Sequence, residues 1–135
     1  MPNRRKSHIL VVDDDPNVAK TLAMVLQQQG YLATFTLNGS TALELASGCA
    51  VDLAIVDVNL PELDGIQTAV ELCRRLPKCK ILLMSGDIET SSKLEEARAN
   101  GINFDVIVKP IPPEELFFVL NAQLTESAAA AGINV

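Results

Sequence analysis

Tryptophan is absent from the 135 residues, which carry one tyrosine and four phenylalanines. Basic residues are also scarce. Eleven Lys and Arg stand against 17 Asp and Glu, a formal charge of -6, which argues against broad nucleic-acid binding through a basic face. A single histidine, His8, and three cysteines without a CxxC spacing (Cys49, Cys73 and Cys79) do not make a structural zinc site. The odd number of thiols fits a reducing compartment. Long hydrophobic runs are missing too. Ile9-Leu10-Val11-Val12, behind the basic Arg4-Arg5-Lys6, ends at Asp13-Asp14-Asp15 and is too short for a signal peptide or a membrane span. The expected protein is soluble and cytoplasmic, with no direct nucleic-acid or membrane partner.

What the chain does have is enough apolar material for one core: 48% of its residues are hydrophobic, at a length suited to one domain. Short apolar runs alternate with segments of helical periodicity, the signature of repeated strand and helix units. Ile9–Val12, Leu53–Val56 and Ile81–Met84 are continuous and read as strands buried on both faces. Leu32–Thr36 and Phe104–Val108 carry polar interruptions and read as sheet edges.

Between the strands, Val18, Leu22, Val25 and Leu26 form one helical stripe, capped by Asp15 ahead of Pro16 and stopped at Gly30. Further helices are expected over Ser40–Ala46, along Ile66, Val70, Cys73 and Leu76, over Lys93–Asn100 closed by Gly101, and from about Pro112 to Leu124. Five such units with right-handed crossovers predict an α/β fold, a doubly wound five-stranded parallel sheet of order 2-1-3-4-5. The expected boundaries are a tail over 1–7, the domain over 8–124, and a helix end or linker over 125–135.

In that order the chain reverses direction beside strands one and three, so a site is expected beyond their C-terminal ends. Asp13 and Asp14 leave the first strand and Asp57 ends the third. Three converging carboxylates are electrostatically costly unless they hold a cation or protons, and an oxygen-only set favours Mg²⁺. Helix capping explains Asp15 better than it explains the other three. Ser85 and Lys109, at the ends of the fourth and fifth strands, bring a hydroxyl and an ammonium to the same edge. There they can stabilise a transferring phosphoryl group, with Asp57 as nucleophile.

Ile9-Leu10-Val11-Val12-Asp13-Asp14, the stretch Ile55 to Gly65 (IVDVNLPELDG), Met84-Ser85-Gly86 and Val108-Lys109-Pro110 together resemble the response-regulator receiver family of two-component signalling, with its flavodoxin-like fold. The resemblance covers residues 8 to about 124. It implies that Asp57 accepts a phosphoryl group from a histidine kinase or a histidine phosphotransfer protein. It further implies that Asp14 binds Mg²⁺ directly, that Asp13 holds it through water, and that Asn59 contributes its backbone carbonyl. Lys109 would pair with the phosphoryl oxygens, Ser85 would report phosphorylation to a distant surface, and Pro61 and Gly65 would shape the loop after the third strand. Asn59 and Asp87 occupy the positions that tune self-dephosphorylation in that family. The module would thus assist its own phosphorylation and slow dephosphorylation without being a conventional turnover enzyme.

One departure stands out: Val106 lies where many family members carry the Tyr or Phe of an aromatic switch, and Phe104 is two residues away on the same side of the strand. The expectation is that Val106 leaves a recess for a partner residue, with Ser85 and the fourth helix transmitting the signal. The face of fourth helix, fifth strand and fifth helix, with Phe117 or Phe118, is the expected surface for a downstream protein or effector domain, or for a homodimer. Two alternatives are a receiver-like scaffold that acts without phosphorylation, and a Mg²⁺-dependent phosphatase suggested by Asp13-x-Asp15, whose Asn17 departs from the haloacid-dehalogenase pattern.

Overall fold

The computed structural model describes residues 6–60, 65–86, 95, 98, 99, 101 and 104–130, the last six as backbone only. Strands β1 (His8–Val12), β2 (Leu32–Thr36), β3 (Leu53–Asp57), β4 (Lys80–Ser85) and β5 (Asp105–Val108) form one parallel sheet of order β2-β1-β3-β4-β5. Helices α1 (Pro16–Gln28), α2 (Gly39–Gly48) and α3 (Gly65–Arg75) follow β1, β2 and β3, and a C-terminal helix spans Pro113–Ala130.

The expected order and both expected edges are therefore present. Every residue of β3 is buried, and β1 and β4 are buried except at their first residue, whereas β2 and β5 each expose part of their length. Alternation sorts the side chains into two layers. Leu10, Val12, Ala54, Val56 and Leu83 pack with α2 and α3 residues such as Ala42, Ala69 and Leu72. Ile9, Val11, Ile55, Leu82 and Met84 pack on the other face with Ala19 and Leu26 of α1 and with Leu116 and Leu120 of the C-terminal helix. Truncating one of the fully buried leucines to alanine costs about 2–5 kcal/mol in such cores.

Asp15 caps α1 as expected, its carboxylate accepting from the amides of Asn17 and Val18, and Gly30 takes a left-handed φ of +95° just past the helix end. Helix α2 is longer than the stretch from Ser40 to Ala46, because Asn38 caps it by accepting from Thr41 N at 2.8 Å. The C-terminal helix continues through Ala130, into the stretch expected as a helix end or linker. Most of the helix expected over Lys93–Asn100 lies outside the described residues. Gly101, its expected end, has a φ of +82° and donates to Arg98 O at 2.9 Å.

His8 is tied into the opposite end of the sheet. Its ring nitrogens meet Ala50 O at 2.8 Å and Thr34 Oγ1 at 2.9 Å, and its amide donates to the Asp52 carboxylate at 2.7 Å. These contacts tie the start of β1 to the middle of β2 and to the segment leading into β3, a structural role.

Candidate functional site

The ends of β1, β3, β4 and β5 deliver the site. Asp13 directly follows β1, Asp57 is the last residue of β3, Ser85 the last of β4, and Lys109 the first after β5. Parallel pairing in register makes these ends coincide: Asp57 pairs with Met84, and Ser85 with Val108. Backbone bonds close the remaining gaps, from Asp13 N to Thr36 O at 3.2 Å, Val58 N to Met84 O at 2.9 Å, and Lys109 N to Ser85 O at 2.8 Å. Residues far apart in sequence are thus set side by side by the sheet.

Lys109 Nζ donates to Asp57 Oδ2 at 2.8 Å and to Asp13 Oδ2 at 2.9 Å. Both acids are buried and Asp14 is exposed. One ligand oxygen from each of Asp13, Asp14 and Asp57 can be chosen so that all lie within 4.8 Å of one another. The cluster can hold a divalent cation, and its all-oxygen donor set fits a hard one. Burial lowers the proton affinity of the Lys109 ammonium, but its hydrogen bonds to Asp57 and Asp13 and their charges outweigh burial and raise its pKa. One ammonium cannot neutralise three carboxylates, so the pocket favours a second positive charge.

The other oxygens of the two buried acids are also fixed. Asp15 N donates to Asp13 Oδ1 at 3.0 Å, and Asn59 N donates to Asp57 Oδ1 at 3.0 Å. Each acid thereby orients itself through an amide two residues on, the Asx-turn arrangement. These amide contributions of Asp15 and Asn59 were not anticipated, although an aspartate at the end of a strand followed by a turn is their sequence signal. Gly65, at the start of α3, lies so close to the end of β3 that an added Cβ would overlap the Asp57 carbonyl oxygen and come within 2.6 Å of Val58 Cα. Only glycine lets the helix start there.

The structure thus brings together Asp13, Asp14, Asp57, Ser85 and Lys109, with the amide of Asn59 beside them. Ser85 is fully buried. Asp87 and Pro61 lie outside the described residues. Val106 is 37% exposed, Val108 is exposed as well, and Phe104 is buried in the layer shared with α2 and α3. Phe117 is half-buried, whereas Phe118, 77% exposed, points away from the core. Beside Lys109, a cavity of about 470 Å³ opens between α1 and the segment Pro110–Leu116, lined mainly by apolar groups including Val18, Leu22 and Ile111. None of the described helices is long and apolar enough to cross a membrane.

Residues 9–121 match the family described as response regulator receiver domain. The chain is 30% identical over 118 residues to the regulatory protein AtoC of Escherichia coli, covering 87% of this chain and 25% of that protein. Among solved structures, response regulator TrrA of Thermotoga maritima, in complex with Mg²⁺ and a beryllium fluoride, is 30% identical with a TM-score of 0.77, over 87% of this chain and 99% of that one. A response regulator of Burkholderia pseudomallei, with a phosphorylated aspartic acid and a calcium ion, is 27% identical with a TM-score of 0.76, over 93% of this chain and 73% of that one. The chain spans from about a quarter to about half the length of the curated relatives it matches.

Proposed function

The chain belongs to the response regulator receiver family, and on that premise we propose that Asp57 is the carboxylate that takes the phosphoryl group, from a phosphohistidine on a histidine kinase or phosphotransfer protein. The observation that carries this assignment is the position of Asp57 at the end of β3, buried, with one oxygen bonded to Lys109 and the other to Asn59 N. In the transfer, an Asp57 oxygen forms a bond to phosphorus as the bond from phosphorus to the donor imidazole breaks. The electron pair leaves with the imidazole.

Asp13, Asp14 and Asp57, with the Asn59 carbonyl, would hold Mg²⁺, which when bound supplies charge neutralisation for the phosphoryl oxygens. Lys109, already within bonding distance of Asp57, would shift its hydrogen bond from the carboxylate to a phosphoryl oxygen. Ser85 would donate to another, and its displacement toward the phosphoryl group would carry the change into β4 and β5. Asn59 and Asp87 would set how readily water hydrolyses the acyl phosphate. These roles describe a phosphoacceptor that assists its own modification.

The output surface in this reading includes Val106 and Val108 on the outward side of β5 and Phe118 on the C-terminal helix, all exposed apolar side chains. The smaller Val106 side chain, 37% exposed, stands at the position expected for a ring, which supports insertion of a side chain from a downstream protein. This surface reading is tested by hydrogen exchange over residues 104–120 with Mg²⁺ and beryllofluoride. Unchanged protection there on activation refutes it.

The decisive experiment for the phosphoacceptor is incubation with Mg²⁺ and a small phosphodonor, followed by intact-mass measurement. The native chain gains one base-labile phosphoryl increment that is lost in Asp57→Asn and in the absence of the cation. An adduct that persists in Asp57→Asn rejects the assignment.

A further inference from the structure

Strand β2 ends the sheet on the side opposite β5 and pairs with β1 alone. Leu32 N donates to Ser7 O and Asp13 N donates to Thr36 O, so the even-numbered residues of β2 turn their backbone groups toward β1. Ala33 and Phe35 therefore turn theirs outward. Among the described residues, no hydrogen bond reaches Ala33 N–H or either backbone group of Phe35. The Ala33 carbonyl accepts from Gln27 Nε2 at 3.0 Å, which leaves its second lone pair available.

Natural sheet edges are commonly protected by a lysine, a proline or a bulge. This one has none of them: Leu32–Thr36 reads LATFT, and Leu32 and Phe35 are 48% and 40% exposed. The charge pattern around it is equally unusual. From Thr21 to Leu43 the chain has no charged residue for 23 positions, while the next longest such stretch, Leu116 to Thr125, has ten. For a molecule of net charge -6, this is the region where two copies can approach with the least repulsion.

We infer that the β2 edge is a homotypic interface, at which a second copy of this chain pairs its own β2 antiparallel across a twofold axis at Thr34. The register follows from the outward groups. Ala33 exchanges both backbone hydrogen bonds with Phe35 of the second copy, and Phe35 exchanges both with Ala33 of the second copy, giving four bonds. The same register sets the smallest side chain of the strand opposite the largest, on the face shared with α1. It is self-complementary, as an isologous interface must be. The two sheets become one of ten strands, and β5, at the far edge, stays open in both copies. Two receivers can thus associate without occluding either output surface, and the small contact makes the association weak and concentration-dependent.

The test is sedimentation of the full chain from low-micromolar to near-millimolar concentration. The weight-average mass of the native chain rises toward that of a dimer. Phe35→Lys, at an exposed position and checked for native circular dichroism, weakens this association by at least about tenfold because it places a charge on the paired edge. Phe118→Glu leaves it unchanged. Independently, Thr34→Cys in a Cys49→Ser background, which gives up the hydrogen bond to His8 and is checked for native circular dichroism, forms a 34-to-34 disulfide with a mild oxidant, because the two positions face each other as a non-hydrogen-bonded pair at about 4.5 Å between Cα atoms. A chain that stays monomeric throughout, an association lost in Phe118→Glu but kept in Phe35→Lys, or the absence of the 34-to-34 cross-link overturns the inference.

Discussion

Gly65→Ala is the substitution that most directly probes how the fold holds the Asp57 loop. The added methyl would overlap the Asp57 carbonyl oxygen, and would stand 2.6 Å from Val58 Cα and 2.7 Å from the Asp57 carbonyl carbon. All three obstacles are backbone, so no side-chain rotation relieves them. To reach ordinary contact, the start of α3 and the end of β3 must separate by about 1.5 Å, against the pairing of β3 with β4 and the bond from Gly65 N to Val58 O. Overpacking of this kind costs about 1–3 kcal/mol where side chains can share the strain, and the backbone clash places this case at about 3 kcal/mol. For a 135-residue chain that corresponds to a fall in Tm of about 10 °C, since each kcal/mol is worth about 3–4 °C at this size. Thermal unfolding followed by circular dichroism measures it, and the rate of phosphoryl-adduct formation measures the displacement of Asp57. A Tm within about 2 °C of native, with an unchanged adduct rate, refutes the reasoning.

Asp14→Asn removes one charge from a cluster of three carboxylates that shares one ammonium, and Asp14 makes no bond to Lys109. In EDTA its Tm rises by about 3–4 °C, from about 1 kcal/mol of relieved repulsion, while the Mg²⁺-induced rise of the native chain is lost. Thermal scans with and without the cation check both halves. Thr36 Oγ1 is buried and has no hydrogen-bond partner among the described residues, so Thr36→Val, nearly the same in shape, stabilises by about 1 kcal/mol in denaturant titration. At alkaline pH, burial first, then the charges of Cys73 and Asp52, push the Cys79 thiol from about 9 up to about 12. The folded state therefore keeps a proton that the unfolded chain releases, so stability is full below about pH 9 and falls as pH rises toward 12. The raised Lys109 pKa acts in the same direction: its contribution is present below about 10.5 and is lost as pH rises through the folded value. Denaturant unfolding across this range has a shallower alkaline slope in Cys79→Ala than in the native chain.

The architecture was legible because burial of the central strands leaves a mark that edge strands lack. Leu53–Val56 and Ile81–Met84 have no polar residue to place on a solvent face, and both are buried on both faces in the sheet. From that, the order of strands and the convergence of Asp13, Asp57, Ser85 and Lys109 follow by topology alone. The details that escaped are those in which the backbone is the partner. The amides of Asp15 and Asn59 that orient the two buried acids belong to residues whose side chains suggested other roles. Gly65 reads in the sequence as part of a turn, whereas its cause is the approach of the α3 start to the β3 carbonyl. The Asn38 cap that lengthens α2 sits among small polar residues that also read as a loop.

The absent ring at Val106 shifts where the coupling in the proposed mechanism must lie. Without an aromatic side chain to swing, a change at Asp57 reaches β5 through the connections that remain: Ser85, and the shared Lys109, whose ammonium bonds Asp57 and whose amide bonds the Ser85 carbonyl at 2.8 Å. Lys109 is therefore both the countercharge of the resting pocket and the covalent continuation of β5. Drawing its ammonium from Asp13 toward a phosphoryl group on Asp57 pulls on the residue directly after Val108, next to the exposed side of the strand. That places the readout in the backbone of β5 instead of in a rotamer. A Lys109→Met chain that still becomes phosphorylated, however slowly, should then show a smaller change in β5 amide protection on phosphorylation than the native chain, whereas a native-sized change in that variant would mean that Ser85 alone carries the signal.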